Sequence, residues 1–342
     1  MNKLATIPYG SRLYGTSDEN SDWDWKYIVL PDIGDVLTGK QIKNQFFCTS
    51  SDQVKNTSDD TDTELVPVQT FCKDFYAGQT YAIELAFAIR QHTRIDGLEI
   101  HDQRIVTIAH ELTEDFLTSN INAMVGYAYH QAQLYSEKGN RLGKLMEFRD
   151  MLVQVCKSAD GTIGLDSKLQ ILIDMFEGDP AMCGIIPDKM LYITEVESSN
   201  GMEKCFSVLE KKYPGNITMD EAILRANKTI SKYGNRANEA RINEGKDWKA
   251  ISHAVRITNE ALSVLNTEYV TLPLPELQVA QLLAIKYGMV PWEEVQTLLV
   301  SNIDKITQDQ LTSNLPVANP ALAEKFAAWL KSKMLDLYGV TK

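Results

Sequence analysis

The fold is decided by residues 10–30, which read GSRLYGTSDENSDWDWKYIVL. The second half of this stretch is rich in aromatic and β-branched residues and predicts a strand, with Asp22 and Asp24 at its head. Because strand side chains alternate between two faces, both carboxylates point to the same side, about 7 Å apart along the backbone. Two like charges at that spacing gain from a shared divalent cation, and hard oxygen ligands suit Mg²⁺ or Mn²⁺. The pattern therefore predicts a metal site at Asp22 and Asp24, while Trp23 and Trp25 should face the core.

A short strand is predicted upstream, at residues 4–7, and Gly10 and Ser11 follow it. At a strand-to-helix turn, free backbone N–H groups and a hydroxyl can face a phosphate. A glycine suits such a turn because the backbone can then approach the ligand closely. Carboxylates that hold Mg²⁺ against a triphosphate, beside a turn that binds its oxygens, are the parts that nucleotidyl transfer needs.

At these positions the chain resembles the nucleotidyltransferase superfamily that shares its catalytic domain with DNA polymerase beta. Its members carry Gly-Ser at the end of a strand, about ten residues of helix and loop, and then Asp-x-Asp. Ten residues separate Ser11 from Asp22 in this chain. A branch of predicted nucleotidyltransferases associated with RNA repair is more similar still, with Gly-Ser-Arg-Ala-Tyr-Gly followed by Ser-Asp-x-Asp-x-Arg-Gly-Val. This chain keeps most of both motifs and departs from them at Leu13, Lys26 and Tyr27.

The resemblance implies transfer of a nucleoside monophosphate from an NTP to an acceptor hydroxyl, with release of pyrophosphate. It implies Mg²⁺ or Mn²⁺ as the cofactor. It also implies that the nucleotide is bound by Gly10, Ser11, Arg12 and Lys26.

The superfamily uses a third carboxylate on a later strand, and the candidates here are Asp62 and Glu64 within residues 60–68. Both would lie on one face of that strand. The sequence does not separate them, and an aspartate that ends a polar loop is more often a turn or cap residue. The predicted catalytic residues are therefore Asp22 and Asp24 with Asp62 or Glu64, and Asp62 is the predicted third metal ligand.

Part of the later sequence also resembles that branch, above all residues 249–256, which match a Lys-x-x-x-His-x-x-Arg helix. Lys249, His253 and Arg256 are spaced i, i+4 and i+7, so they share one face of the predicted helix. On spacing alone, such a face is equally typical of a solvated or salt-bridged surface. The resemblance favours a contact with the nucleotide or the acceptor, so these three residues are predicted to bind the nucleotide.

Acidic residues outnumber basic ones, 46 Asp and Glu against 34 Lys and Arg, which gives a net charge of −12. This charge argues against a protein that coats nucleic acid, because such binding is driven by phosphate neutralisation. The acceptor stays open between an RNA end, a protein and a small molecule. The five cysteines show no Cys-x-x-Cys spacing, and no apolar run approaches membrane-spanning length. These features predict a cytoplasmic protein without a membrane partner.

Length and composition predict two domains and an α+β fold. Residues 1–95 mix short strands with helices and would form a small mixed-sheet catalytic domain, whereas residues 96–342 show mainly helical periodicity. This largely helical domain would contribute to the cleft and to substrate choice, particularly through residues 145–245, which match no motif. A catalytically silent nucleotide sensor or interaction protein on the same fold is the alternative function.

Overall fold

The computed structural model describes residues 1–19, 21–38, 40, 42–49, 61–157, 163–178, 188–198, 201–233, 235–243 and 246–340. The chain divides into two compact units. The first consists of Met1–His130 together with Ile251–Lys342, and the second consists of Gln131–Ala250. This division differs from the predicted boundary at residue 95, because the last quarter of the chain packs with the first part.

The first unit contains a five-stranded mixed sheet with the strand order β3-β4-β2-β1-β5. Its strands are β1 (Asn2–Tyr9), β2 (Trp23–Leu30), β3 (Gln45–Cys48), β4 (Thr61–Pro67) and β5 (Glu99–Ile100). Strands β2 and β4 run parallel, and the other neighbouring pairs are antiparallel. The centre of the sheet is apolar, with Ile7, Ile28 and Val66 completely buried.

Two helices pack directly against this sheet, α3 (Val68–Tyr76) on β2 and β4, and α4 (Thr80–Arg90) on β1. Helix α4 is buried at every position from 82 to 89. The other described helices wholly within the first unit are α1 (Ser11–Tyr14), α2 (Ile33–Leu37), α5 (Arg104–Asp115), α11 (Glu276–Lys286), α12 (Trp292–Thr312) and α13 (Pro320–Leu337), with a 3-10 turn at His92–Arg94. The chain passes between the units within α6 (Asn122–Cys156) and near the start of α10 (Trp248–Thr267).

Helix α13, near the C-terminus, packs in the first unit through aromatic rings. Phe326 stacks on Tyr76 of α3, with 4.4 Å between the ring centroids, and also contacts Phe116. Lys333 donates to Glu111 of α5 at 2.6 Å. These contacts join positions far apart in sequence, which the periodicity of a single segment does not reveal. They explain why the predicted domain boundary and the observed one differ.

The second unit has its own core and a three-stranded antiparallel sheet in the order β6-β7-β8. Its strands are β6 (Leu191–Ser198), β7 (Gly201–Val208) and β8 (Lys211–Pro214), and its described internal helices are α7 (Gln170–Gly178), α8 (Met219–Ile230) and α9 (Asn235–Ile242). Phe148 of α6 packs against Phe206 and Tyr213 of this sheet, with ring centroids 5.4 and 4.9 Å apart.

The predicted mixture of α and β structure is confirmed, but strands are not confined to residues 1–95. The sequence predicts a mainly helical region where β6, β7 and β8 lie. The turn between β7 and β8 places Leu209 and Glu210 at φ 51° and 68°. Such left-handed turn positions usually carry Gly, Asn or Asp. The turn therefore lacks the residues by which a hairpin is recognised in a sequence.

No helix among the described residues is both long and apolar enough to cross a membrane. The 35-residue helix α6 has sufficient length but carries charged residues along much of it.

Candidate active site

Two of the predicted metal carboxylates lie on neighbouring strands of the first unit. In the parallel ladder of β2 and β4, Asp24 is the register partner of Asp62. Neighbouring strands lie about 4.8 Å apart and paired positions point to the same face, so the two carboxylates stand side by side. Both are half-buried and line a cavity of about 190 Å³. Register partners on the two flanking strands extend this pair into a row of four residues across the sheet, which we call the carboxylate row. From β3 to β1 its members are Cys48, Asp62, Asp24 and Tyr9.

Asp22 lies one residue before β2 and is half-buried. The ladder with β4 begins only at Trp23, so Asp22 is outside the paired residues. Strand pairing therefore fixes Asp24 and Asp62, whereas the position of Asp22 depends on the loop that precedes it.

The two candidates for the third carboxylate, Asp62 and Glu64, differ in their partners. Glu64 is the register partner of Lys26, and the two form an ion pair whose side chains are only 12% and 10% exposed. Asn44 Nδ2 donates to the other Glu64 oxygen at 2.7 Å. Because both oxygens of Glu64 have protein partners, the geometry favours Asp62 as the candidate third carboxylate.

The same ion pair bears on the nucleotide contact predicted for Lys26. The Lys26 ammonium is held by Glu64 and lies over the rings of Tyr9 and Tyr81, 4.4 and 5.0 Å from their centroids. A phosphate that displaced Glu64 from this cation would leave a largely buried carboxylate without its partner. In the structure Lys26 forms an ion pair with Glu64, and its contact with the nucleotide stays a prediction.

Gly10 lies directly against the carboxylate row. Its φ is 62°, a value that residues with a side chain rarely adopt. A Cβ at this position would collide with Oδ2 of Asp24. Since Ser11 begins α1 at the end of β1, the predicted phosphate turn abuts one of the predicted metal ligands.

We expect Gly10→Ala to weaken binding of a magnesium–NTP complex at least about ten-fold, because the added methyl group displaces the Asp24 carboxylate. Calorimetric titration with a non-hydrolysable NTP analogue measures this loss. Gly339→Ala is the matched control, since Gly339 has φ 67° but no atom within 4 Å of an added Cβ. Equal affinities for the two variants would contradict the assignment of the Gly10 turn.

Arg12 contacts the loop before β2. Its Nη2 donates to the carbonyl oxygen of Ser21 at 3.0 Å, and its Nε donates to that of Asp22 at 3.3 Å. The guanidinium lies 3.5 Å from the centroid of the Trp23 ring, which stacks on Trp25. In the structure Arg12 is engaged by these groups of the protein, and its contact with the nucleotide stays a prediction. Trp23 is 37% exposed, so the prediction that it faces the core is wrong; the guanidinium covers its ring.

A buried network of charged and hydroxyl groups adjoins the carboxylate row. Tyr9 and Tyr14 both donate to Oε2 of Glu84, Tyr14 at 2.9 Å. Arg256 of α10 donates to Oε1 of Glu84 and, at 2.7 Å, to Glu260. The Arg256 guanidinium also lies 3.7 Å from the centroid of the Tyr14 ring. The network ties Tyr9, at the end of the row, to α4 and α10.

The three basic residues that the sequence places on one face of α10, Lys249, His253 and Arg256, differ in their burial. Arg256 is only 5% exposed, and its guanidinium donates to the carboxyl groups of Glu84 and Glu260. His253 is half-buried and belongs to the first unit. Lys249 is exposed and belongs to the second unit. The three residues do not form one basic surface, because Arg256 is buried in the core whereas Lys249 is exposed.

The two carboxyl groups of the network have opposite pKa shifts. Burial raises the pKa of Glu260 to about 8, although the neighbouring Arg256 opposes this shift. Burial also acts to raise the pKa of Glu84, but Arg256 and the Tyr9 hydroxyl outweigh it and lower this pKa below its usual value. At neutral pH the network therefore holds one carboxylate, one guanidinium and one protonated carboxyl group.

We expect Glu260 to make the free energy of unfolding fall as pH rises from about 5 to 8, by up to about 1.4 kcal/mol per pH unit. Glu260 keeps its proton up to about pH 8 in the folded chain but loses it near pH 4.5 when unfolded, so the folded state binds more protons in this window. Chemical denaturation at a series of pH values measures the slope. Glu260→Gln should flatten it, and identical slopes for variant and wild type would contradict this assignment.

The donor set suits a hard cation that is shared with a phosphate. In the part of the chain that the structure describes, no group of three or more His, Cys, Asp or Glu side chains is arranged to hold a metal ion. The candidate donors are the oxygens of Asp24 and Asp62, with Asp22 two residues before Asp24. Magnesium in nucleotide sites uses one or two carboxylates and completes its shell with phosphate oxygens and water. The pair has the number of carboxylates that such a site uses.

Sequence reasoning missed Tyr9, Glu84 and Phe46. Glu84 gave a usable signal, because it is the one charged residue in the buried apolar run from 82 to 89 and such a group needs a partner. That partner, Arg256, lies 172 residues away, beyond the reach of a local pattern. Phe46 on the edge strand β3 is 71% exposed and lines the same cavity as the carboxylates. Nothing in its sequence neighbourhood indicated this position.

Comparison with models of known families finds no match, and no solved structure matches this chain. A search of curated proteins finds a relative in Enterobacteria phage T4, described as an uncharacterized 38.9 kDa protein in the nrdC-mobD intergenic region. The two are 29% identical over 312 residues, which cover 90% of this chain and 89% of the relative. The similarity therefore spans most of the chain, and the description of the relative names no activity.

Proposed function

We propose that this chain is a metal-dependent nucleotidyltransferase, which moves a nucleoside monophosphate from an NTP to an acceptor hydroxyl and releases pyrophosphate. The observation that carries the proposal is the register of β2 and β4, which sets Asp24 beside Asp62. Gly10 lies against the same Asp24 carboxylate, so a phosphate turn and the metal ligands meet at one place. The resemblance of the Gly-Ser and Asp-x-Asp motifs to the polymerase-beta-like superfamily supports the same chemistry.

Each part of the site has a role in this reaction. Asp24, Asp62 and Asp22 would hold Mg²⁺ or Mn²⁺ through carboxylate oxygens. Such an ion would neutralise the phosphate charge and lower the pKa of the attacking hydroxyl. Gly10 and Ser11 bind the triphosphate through backbone N–H groups and the serine hydroxyl.

The strand order supports an arrangement in which each substrate has its own side of the proposed site. From β1 to β3, the site runs from the turn at Gly10 past Asp24 and Asp62 to the edge strand. With the triphosphate on the turn at one end, the acceptor hydroxyl approaches beside Asp62 at the other, in line with the leaving group. Phe46 lies on the same face as Asp62 and offers the acceptor an apolar contact.

The reaction is balanced without an oxidant or a reductant. The acceptor oxygen forms a bond to the α-phosphorus while the bond from that phosphorus to the bridging oxygen breaks. Pyrophosphate leaves beside Ser11, and Asp62 takes up the hydroxyl proton. An RNA end, a protein hydroxyl and a small molecule are the candidate acceptors.

Tracing the fate of a labelled phosphate tests the proposal. The full chain is incubated with Mg²⁺, a cell extract and each NTP in turn, labelled at the α- or the γ-phosphate, with Asp24→Asn protein as the control. The proposal expects α-label in the RNA, protein or metabolite fraction and γ-label in pyrophosphate. Label from the γ-position in an acceptor would indicate phosphoryl transfer. NTP binding without any transfer would favour the silent nucleotide sensor.

A further inference from the structure

The loop that presents Asp22 is anchored at its far side. Residues 15–22 join α1 to β2, and within the described part of this loop Asp18 Oδ1 accepts from the Ser21 hydroxyl at 3.1 Å. The other Asp18 oxygen accepts from Lys286 Nζ at 3.2 Å and from the Tyr287 hydroxyl at 2.7 Å. The end of α11 thus holds the middle of the loop.

Arg12 holds the end of the same loop from α1. Its Nη2 and Nε donate to the carbonyl oxygens of two successive residues, Ser21 and Asp22. A planar guanidinium presents two donors side by side, an arrangement that a lysine ammonium does not reproduce. The Trp23 ring covers one face of the guanidinium, and Trp25 stacks behind it with an interplanar angle of 5°. Two donors and one face of Arg12 are therefore engaged within the protein.

We propose that Arg12 is a positioning residue, which fixes Asp22 relative to the phosphate turn. Strand pairing already fixes Asp24 and Asp62, so Asp22 is the carboxylate that needs another support. Arg12 follows Ser11 in α1, so one side chain links the turn that binds the triphosphate to the loop that carries a metal ligand. This inference rests on the proposed function and adds to it a residue that acts through Asp22, without touching the nucleotide.

Arg12→Lys tests the inference, because it keeps the charge and loses the paired donors. We expect the variant to bind the magnesium complex of a non-hydrolysable NTP analogue about ten-fold more weakly. We also expect half-maximal binding by the variant to require a higher Mg²⁺ concentration. If the melting temperature is unchanged, a purely structural role of Arg12 would not alter this Mg²⁺ requirement. Arg104→Lys is the matched control, since the exposed Arg104 also makes paired contacts, to the half-buried Asp102 carboxylate. Its Mg²⁺ requirement should equal that of the wild type.

A double-mutant cycle with Asp22→Asn decides whether Arg12 acts through Asp22. If it does, Arg12→Lys has little further effect once Asp22 has lost its charge, and the two changes are strongly non-additive. If the wild type binds the complex normally and the effects of the two changes are additive, the inference alone is overturned, since Arg12 would then contact the nucleotide directly. Absence of Mg²⁺-dependent binding in the wild type would overturn the proposed function as well. If Arg12→Lys fails to fold, Trp23→Leu, which uncovers the guanidinium, has to show the same Mg²⁺ shift.

Discussion

Replacing Asp24 or Asp62 with Asn should lower the rate of nucleotidyl transfer about a hundred-fold or more, which corresponds to roughly 3 kcal/mol of transition-state stabilisation. The change removes a metal-binding charge and keeps the shape of the side chain. Because both residues are half-buried and held by strand pairing, the melting curve should change little. The initial rate of α-label transfer and a circular dichroism melt measure the two effects.

Two further variants make this result specific. Asp35→Asn on α2 is the matched control, since Asp35 pairs with the exposed Lys40 and should leave the rate unchanged. Glu64→Gln tests the competing candidate for the third carboxylate. It should affect stability through Lys26 more than it affects the rate. A loss of rate in Glu64→Gln that equals the loss in Asp62→Asn would contradict the assignment of Asp62.

Arg256→Ala should lower the free energy of unfolding by about 3–5 kcal/mol, because it leaves the Glu84 carboxylate buried without its cation. Both side chains are almost completely buried, 6% exposed for Arg256 and 1% for Glu84. Denaturant titration of the wild type and the variant measures the difference.

Arg104→Ala gives the comparison for Arg256→Ala. Arg104 is an exposed residue paired with Asp102, and its loss should cost about 1 kcal/mol or less. Combining Arg256→Met with Glu84→Gln should recover part of the stability, because no unpaired charge then stays buried. An Arg256→Ala protein that unfolds like the wild type but binds NTP poorly would instead restore the nucleotide contact predicted from the sequence.

The carboxylates were predictable because their chemistry is local. An Asp-x-Asp pair at the head of an aromatic and β-branched run sets a strand and its polar face by alternation alone. The same alternation put Asp62 and Glu64 on one face of their strand. Only the register between strands could separate them, because it sets Asp62 beside Asp24 and Glu64 beside Lys26. Register depends on pairing between segments, which a single strand does not encode.

The cations were not predictable in the same way. Lys26, Arg12 and Arg256 occupy positions that a motif associates with phosphate, yet each is engaged by groups of the protein. The partner of a cation depends on which distant segments pack around it. Arg256 meets Glu84 only because α10 packs in the first unit, beyond the predicted boundary at residue 95. Residue type and spacing therefore identified the candidate metal carboxylates, while the assignment of the surrounding charges required the tertiary structure.

Binding of an NTP to the purified chain, with and without Mg²⁺, tests the central claim most directly because it requires no knowledge of the acceptor. Calorimetric titration with a non-hydrolysable NTP analogue should show saturable binding that requires Mg²⁺ and that Asp24→Asn removes. Binding of equal affinity without Mg²⁺, or binding that survives Asp24→Asn unchanged, would contradict a metal–nucleotide site at Asp24 and Asp62.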